Sequence, residues 1–333
     1  MPAVKTSTIS EADYRPGEGI GRENVLDPAC GSGGFLTEAG DRLIQHYQQK
    51  FGKTSVHRLD PEEARTILER AQENLYGIDI DRRAAQIAGL ALWLRAQRAW
   101  SERDVAPAER PRIRQSGIVC AEPMPGEEDL LNEYVEELER EGPEGKLLGD
   151  LVETVWDRMQ IAGEAGPLLK VEREIGGILE EAKRRFEELR HEGKQASIFG
   201  EPEQGELQFD VEGVEESFFD RAEARLLDVL RRFAIEGTEG SDYSRRLFAD
   251  DAERGFAFLE LMQVGKVDGF DVVVMNPPFG AVSDEVGDYL DDHYPDTKND
   301  VYQAFVERAE EVLRPTGYLG AITNRTGFFL SDY

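Results

Sequence analysis

With 39 basic against 68 acidic residues in 333, a net charge of -29 and a pI near 4.5, the chain has room for one large or two ordinary domains and carries the opposite of the charge that a polyanion selects. Only 9 of the basic residues are Lys, so the acid excess reads as a surface hydrated in concentrated salt, pointing to a halophilic source, or else as a partner-docking face; at molar salt the Debye length falls to roughly 3 Å, and DNA is not excluded. Two cysteines and four scattered histidines form no disulfide framework or metal cluster, and no signal peptide or apolar run of roughly 18–20 residues is present, so the expectation is a cytoplasmic protein without a membrane span.

The first predicted element is an apolar strand, Val25-Leu26-Asp27, which runs into Pro28-Ala29-Cys30-Gly31-Ser32-Gly33-Gly34-Phe35 and then a helical pattern. Asp27 falls at the carboxyl end of the strand, where open α/β sheets bind ligands, and Gly31 and Gly33 permit the close backbone approach that a bound nucleoside needs. The spacing is not the dinucleotide G-x-G-x-x-G. A second strand, Leu75–Asp79, leads into Ile80 and Asp81. Asp79 is suited to accept hydrogen bonds from both ribose hydroxyls; the alternative for Asp79, and for Asp81, is an N-cap of the next helix. That helix is expected over Arg82–Trp100, with apolar residues Ala84, Ile87, Ala88, Leu90, Ala91 and Leu94. A short third strand within Ser116–Ala121 ends at Glu122.

Residues 123–267 carry 18 basic against 37 acidic residues and no internal repeat. Helical spacing is seen over Asp129–Glu141, Leu151–Ile161, Leu168–Arg190 and Glu215–Phe233, with breaks at Gly142-Pro143, Gly163–Pro167 and Gly200–Pro202. The segment reads as a helical lobe beside an α/β sheet. Lys183-Arg184-Arg185, Arg231-Arg232 and Arg245-Arg246 are phosphate contacts in one reading and helix-face ion pairs in the other.

From residue 268 onward a buried strand over Asp271–Met275 runs into Asn276-Pro277-Pro278-Phe279. Adenine's exocyclic nitrogen is a poor nucleophile because its lone pair is delocalised into the ring. Two acceptors aimed at its hydrogens, the Asn276 side-chain oxygen and the Pro277 carbonyl, favour a tetrahedral nitrogen that can attack. Consecutive prolines fix φ and lack N–H donors, so the loop is rigid, and Phe279 offers a flat face to a base swung out of its stack. An irregular acidic stretch, a helix over Asp300–Leu313, a stop at Pro315-Thr-Gly317 and a strand Tyr318–Thr323 are expected next. Carbon-5 methylation of cytosine would need a Pro-Cys nucleophile; Cys30 follows Ala29 and Cys120 follows Val119.

DPACGSGGF followed by NPPF resembles the S-adenosylmethionine-dependent DNA amino-methyltransferases, closest to the adenine-N6 class of restriction–modification and phage-exclusion methylases. The resemblance covers residues 24–122 and 268–333 and implies an α/β class I methyltransferase, a Rossmann-like sheet with helices on both faces. On it the chain divides into 1–122, the insertion 123–267, and 268–333. It implies S-adenosylmethionine bound by Asp27, Pro28, Ala29, Gly31, Gly33, Phe35, Asp79 and Ile80. It also implies catalysis by Asn276, Pro277, Pro278 and Phe279 on an adenine flipped from double-stranded DNA. Glu122 stands where the family's adenine-contacting acid, an Asp, is found, or is a surface acid. Asn299-Asp300 before Val301-Tyr302-Gln-Ala-Phe305 resembles a further family segment near the pocket, or is an ordinary N-cap. The family's final hairpin and target-recognition domain are expected to be missing, so a fragment or one half of a split enzyme completed by a second chain is expected. Methylation of RNA or of protein glutamine, and an inactive remnant, remain the alternative functions.

Overall fold

The computed structural model describes residues 23–50, 68–69, 71, 73–110, 117–124, 128–191, 216–219, 221–239, 261, 269–280 and 282–324. Gly200–Pro202, Arg245-Arg246 and the chain end after Asn324 lie outside them.

Five strands form one parallel sheet in the order β3-β2-β1-β4-β5: β1 Val25–Asp27, β2 Leu75–Asp79, β3 Ile118–Cys120, β4 Phe270–Met275 and β5 Leu313–Ala321. The short inner strands are dominated by Val, Ile and Leu, as expected when helices cover both faces. Period-2 alternation divides their side chains. Leu26, Ile78, Val273 and Met275 join one core, whereas Val25, Leu75 and the half-buried Val272 and Val274 face another. The chain is thus an α/β protein with a parallel, Rossmann-like sheet.

The smaller core lies under α1 (Gly34–Lys50) and α2 (Arg82–Ser101) and includes Leu36, Tyr47, Ala88 and Trp100. α2 is where the sequence expected a helix, but its buried face is Ala85, Ala88, Ala96, Ala99 and Trp100. Ile87, Leu90 and Leu94, expected on the apolar face, are 53%, 56% and 54% exposed. Closeness explains the choice: a Cβ on Gly33 would lie 3.1 Å from Ala88 Cα, so only small residues fit there.

The larger core lies on the other face. Helices α3 (Glu128–Glu139), α4 (Pro143–Met159), α5 (Val171–His191) and α6 (Ala222–Glu239) contribute Leu131, Leu148, Val152, Ile175 and Phe233 to the same cluster as Phe270 and Met275 of the sheet. The insertion therefore shares the sheet's core despite its charge. Gly142 (φ 105) makes the expected break, but α4 begins at once with Pro143, eight residues before the expected start at Leu151. Arg184 pairs with Glu181 and Arg232 with Asp228 on their own helices.

The acidic stretch after the NPPF loop is not irregular. It holds α7 (Asp284–His293), capped by the Ser283 hydroxyl accepting from Val286 N–H, with Val286, Tyr289 and Leu290 buried. Next comes α8 (Val301–Val312). β5 then starts at Leu313, and Pro315–Gly317, expected as a stop, lies inside it at a register shift: Phe270 faces Leu313 but Val272 faces Tyr318.

A buried ionic cluster ties the insertion to α7 and α8. Arg308 is 3% exposed. Its guanidinium donates to both Glu172 oxygens (2.8 and 2.9 Å), to Pro167 O (2.9 Å) and to Leu169 O (3.3 Å). Lys170 donates through Nζ to His293 O (2.8 Å) and Glu311 (2.9 Å), and its backbone N–H donates to the Tyr289 hydroxyl (2.8 Å). Tyr294 donates to Leu168 O at 2.6 Å. Among the described residues no helix is long and apolar enough to cross a membrane.

Candidate functional site

Strand order places the motifs. β2 and β3 lie to one side of β1, and β4 and β5 return to the other, so the order reverses between β1 and β4. This is the switch point at which open parallel sheets form a crevice beyond their carboxyl ends. Leu26 faces Val273. Asp27 and Asn276 consequently leave adjacent strands, about 4.8 Å apart in the pairing direction, on the same edge of the sheet.

Asp27 is 0% exposed. Its Oδ1 accepts the Ala29 N–H at 3.1 Å, whereas Oδ2 is buried with no hydrogen-bond partner. Burial pushes its pKa up to about 7; the Ala29 N–H opposes this shift, and the nearby Asp79 charge adds to it. A buried carboxylate lacking a donor is disfavoured until a cation or N–H arrives.

The glycine turn is pinned by Asp79. Its Oδ2 accepts the Gly31 N–H at 2.8 Å and its Oδ1 accepts the Asp81 N–H at 2.8 Å. Gly31 (φ 52) and Gly33 (φ 80) both have left-handed backbones, which a side chain would strain. Pro28 is buried and Ala29 half-buried under the turn. The helix cap is Asp81, which accepts the Arg83 N–H at 2.7 Å. Asp79 is therefore not the cap. Beside it, Ile80 is 48% and Phe35 37% exposed. Glu122 receives two hydrogen bonds from Arg82, at 2.9 and 3.2 Å, so any ligand there would share it.

The second half of the site follows β4. The Ile322 N–H donates to Met275 O at 3.0 Å, which keeps the β4–β5 pairing intact up to the loop. Pro277 is buried, while Asn276, Pro278 and Phe279 are exposed. The Phe279 ring lies 5.4 Å from that of Tyr302, tilted by 44°. That contact brings the start of α8 to the loop, a neighbour that the sequence marked only as a family-like segment. Asp300 occupies the N-cap position of α8, yet its side chain makes no cap hydrogen bond. Its Oδ1 is buried without a partner. An N-cap reading alone leaves that unexplained.

Both thiols are buried, and burial above all pushes that of Cys30 up, well out of the reactive range. Among the described residues no group of three or more His, Cys, Asp or Glu could hold a metal ion. The geometry suits a ligand that brings a cation and a diol to one side of the crevice and a flat amine to the other.

Comparison with known proteins gives matching families. Residues 73–333 match the family model of the Eco57I restriction-modification methylase, and residues 17–113 match the DNA-methyltransferase domain of MmeI. The chain is similar to the adenine-specific methyltransferase PglX of Lacticaseibacillus casei (strain Zhang), at 23% identity over 339 residues, covering 100% of this chain and 22% of the relative. It is also similar to the adenine-specific methyltransferase BrxX of Escherichia coli O9:H4 (strain HS), at 25% identity over 341 residues, covering 99% and 23%. The chain thus spans less than a quarter of the length of either relative.

Proposed function

We propose that this chain, which belongs to the Eco57I restriction-modification methylase family, is the catalytic part of an S-adenosylmethionine-dependent DNA methyltransferase that methylates the N6 amino group of adenine. The observation that carries the reading is the buried, partnerless Oδ2 of Asp27 beside the switch point, at the end of the strand paired with the one that runs into Asn276. When bound, S-adenosylmethionine supplies a methyl group on a positively charged sulfur.

The residues fit that group. Asp27 offers its open oxygen to the ammonium of the methionine part. Asp79, with one lone pair on each oxygen already spent on the turn, uses the others for the ribose hydroxyls. Phe35 and Ile80 supply exposed apolar surface beside the turn, and Glu122, shared with Arg82, is proposed for the adenine end. Across the crevice, the Asn276 side-chain oxygen and the Pro277 carbonyl accept the two hydrogens of a flipped base's amino group, so that its lone pair points out of the ring plane. Phe279 stacks on the base. The chemistry then rests on positioning and electrostatics.

Incubation with methyl-labelled S-adenosylmethionine and unmethylated DNA, RNA or protein tests the reading. Label is expected in DNA, released as N6-methyladenine on digestion. Label confined to RNA or to protein glutamine would overturn the DNA assignment.

Asp27 gives this reading a pH signature. Its pKa near 7 lies above the unfolded value, so the folded protein holds a proton more tightly. Stability is therefore full below about pH 4, falls as pH rises to 7, and stays reduced above it by on the order of 4 kcal/mol. Asp27→Asn should consequently raise the Tm at pH 8, with the difference narrowing toward pH 4, although the substitution removes a binding residue. A cationic ligand binds the ionised form, so S-adenosylmethionine affinity should be roughly eightfold weaker at pH 6 than at pH 7.5. Calorimetry at the two pH values and thermal melts check both. A flat affinity, or a destabilised Asp27→Asn at pH 8, would contradict them.

A further inference from the structure

We infer that Tyr302 is a positioning residue for the base-stacking ring: it holds Phe279 upright before any base arrives. The inference rests on the proposed role of Phe279. The loop bearing Phe279 has two successive prolines and hence few backbone donors. It is followed by Gly280 at φ 119, a backbone conformation that few residues with a side chain adopt. Phe279 itself is 50% exposed. A half-exposed ring on such a loop would settle onto whatever apolar surface lies nearest and fill the space a base must enter.

Tyr302 prevents this by offering one fixed partner. It is 2% exposed and meets the Phe279 ring at 5.4 Å and 44°, within the range of favourable tilted aromatic pairs. Its hydroxyl accepts from Gln303 Nε2 at 3.2 Å, whereas the contact with Phe279 is ring to ring, so the ring does the bracing. The platform beneath is rigid. Tyr302 sits in the first turn of α8, and Arg308 on the same helix is clamped by Glu172 and by Pro167 O and Leu169 O of the insertion. The helical insertion is thereby linked to the catalytic loop through α8.

The test compares Tyr302→Ala and Tyr302→Phe in steady-state methyl transfer to unmethylated DNA, with S-adenosylmethionine affinity measured alongside. Tyr302→Ala should lose at least about tenfold in kcat/KM for DNA, while cofactor affinity stays within about twofold. Tyr302→Phe should restore transfer to near that of the unmodified chain. Undiminished transfer by Tyr302→Ala, an equal loss in Tyr302→Phe, or a parallel loss of cofactor affinity would overturn the inference. If the unmodified chain methylates no DNA, the reading of its function fails. The brace is then judged by thermal melts of Phe279→Ala, Tyr302→Ala and the double variant: non-additive Tm shifts support it, and additive shifts remove it.

Discussion

Asn276→Ala is expected to reduce methyl transfer by about a hundredfold or more while leaving S-adenosylmethionine affinity within about twofold. The split follows from where the residue sits. Asn276 leaves β4 on the far side of the switch point from Asp79 and the glycine turn, and its side chain is exposed. Removing it takes away one of the two acceptors that localise the amine lone pair, an interaction needed as the nitrogen attacks rather than when cofactor binds. Pro277 keeps the other acceptor, so the loop should retain its shape. Single-turnover transfer and calorimetric titration separate the two effects. Equal loss of both would remove Asn276 from the catalytic role.

The second large effect is on stability. Arg308→Ala should destabilise the protein by about 3–5 kcal/mol, because the buried Glu172 carboxylate loses its ion pair and two hydrogen bonds with Arg308, and the Pro167 and Leu169 carbonyls lose that donor. Burial pulls the Arg308 pKa down, and the charge and hydrogen bonds of Glu172 more than offset that pull. The guanidinium therefore stays charged throughout the accessible pH range. Replacing both partners by apolar residues, Arg308→Met with Glu172→Leu, should recover only part of the loss: the buried carboxylate is gone, but the Pro167 and Leu169 carbonyls still lack the Arg308 donor. Denaturant unfolding at fixed salt measures all three. A loss below about 1 kcal/mol in Arg308→Ala would show that water reaches the cluster.

The parts of the site that follow strands were legible in the sequence. Each motif comes straight after a short apolar run, and a parallel sheet carries such runs to one edge, so Asp27, Asp79 and Asn276 could be assigned to a common end of the sheet without coordinates. The acceptor role of Asp79 toward Gly31 was not legible, because the two residues are separated by 48 positions and the bond forms only once β1 and β2 pair. Tyr302 was hidden for a similar reason: an aromatic residue in the first turn of an amphipathic helix looks like core, and here it is core as well as a support for Phe279.

Periodicity failed where size decided. α2 has bulky residues at helical spacing, yet the face turned to the glycine turn must be alanine, so Ile87, Leu90 and Leu94 are left in solvent. Among the described residues of 123–267 most of the acids are exposed on helices whose inner faces join the sheet's core, and Glu172 with Glu311 lies at the join, where Arg308 and Lys170 neutralise them. Partners 136 and 141 positions apart leave no local signal.

Calorimetric titration with S-adenosylmethionine at pH 7.5 in concentrated potassium chloride, on the chain and on Asp27→Asn side by side, tests the account most directly. Saturable one-site binding by the chain, weakened at least tenfold in a variant that melts at a higher temperature, is the expected result. A folded chain that binds nothing, or an Asp27→Asn that binds as well as the parent, would contradict it.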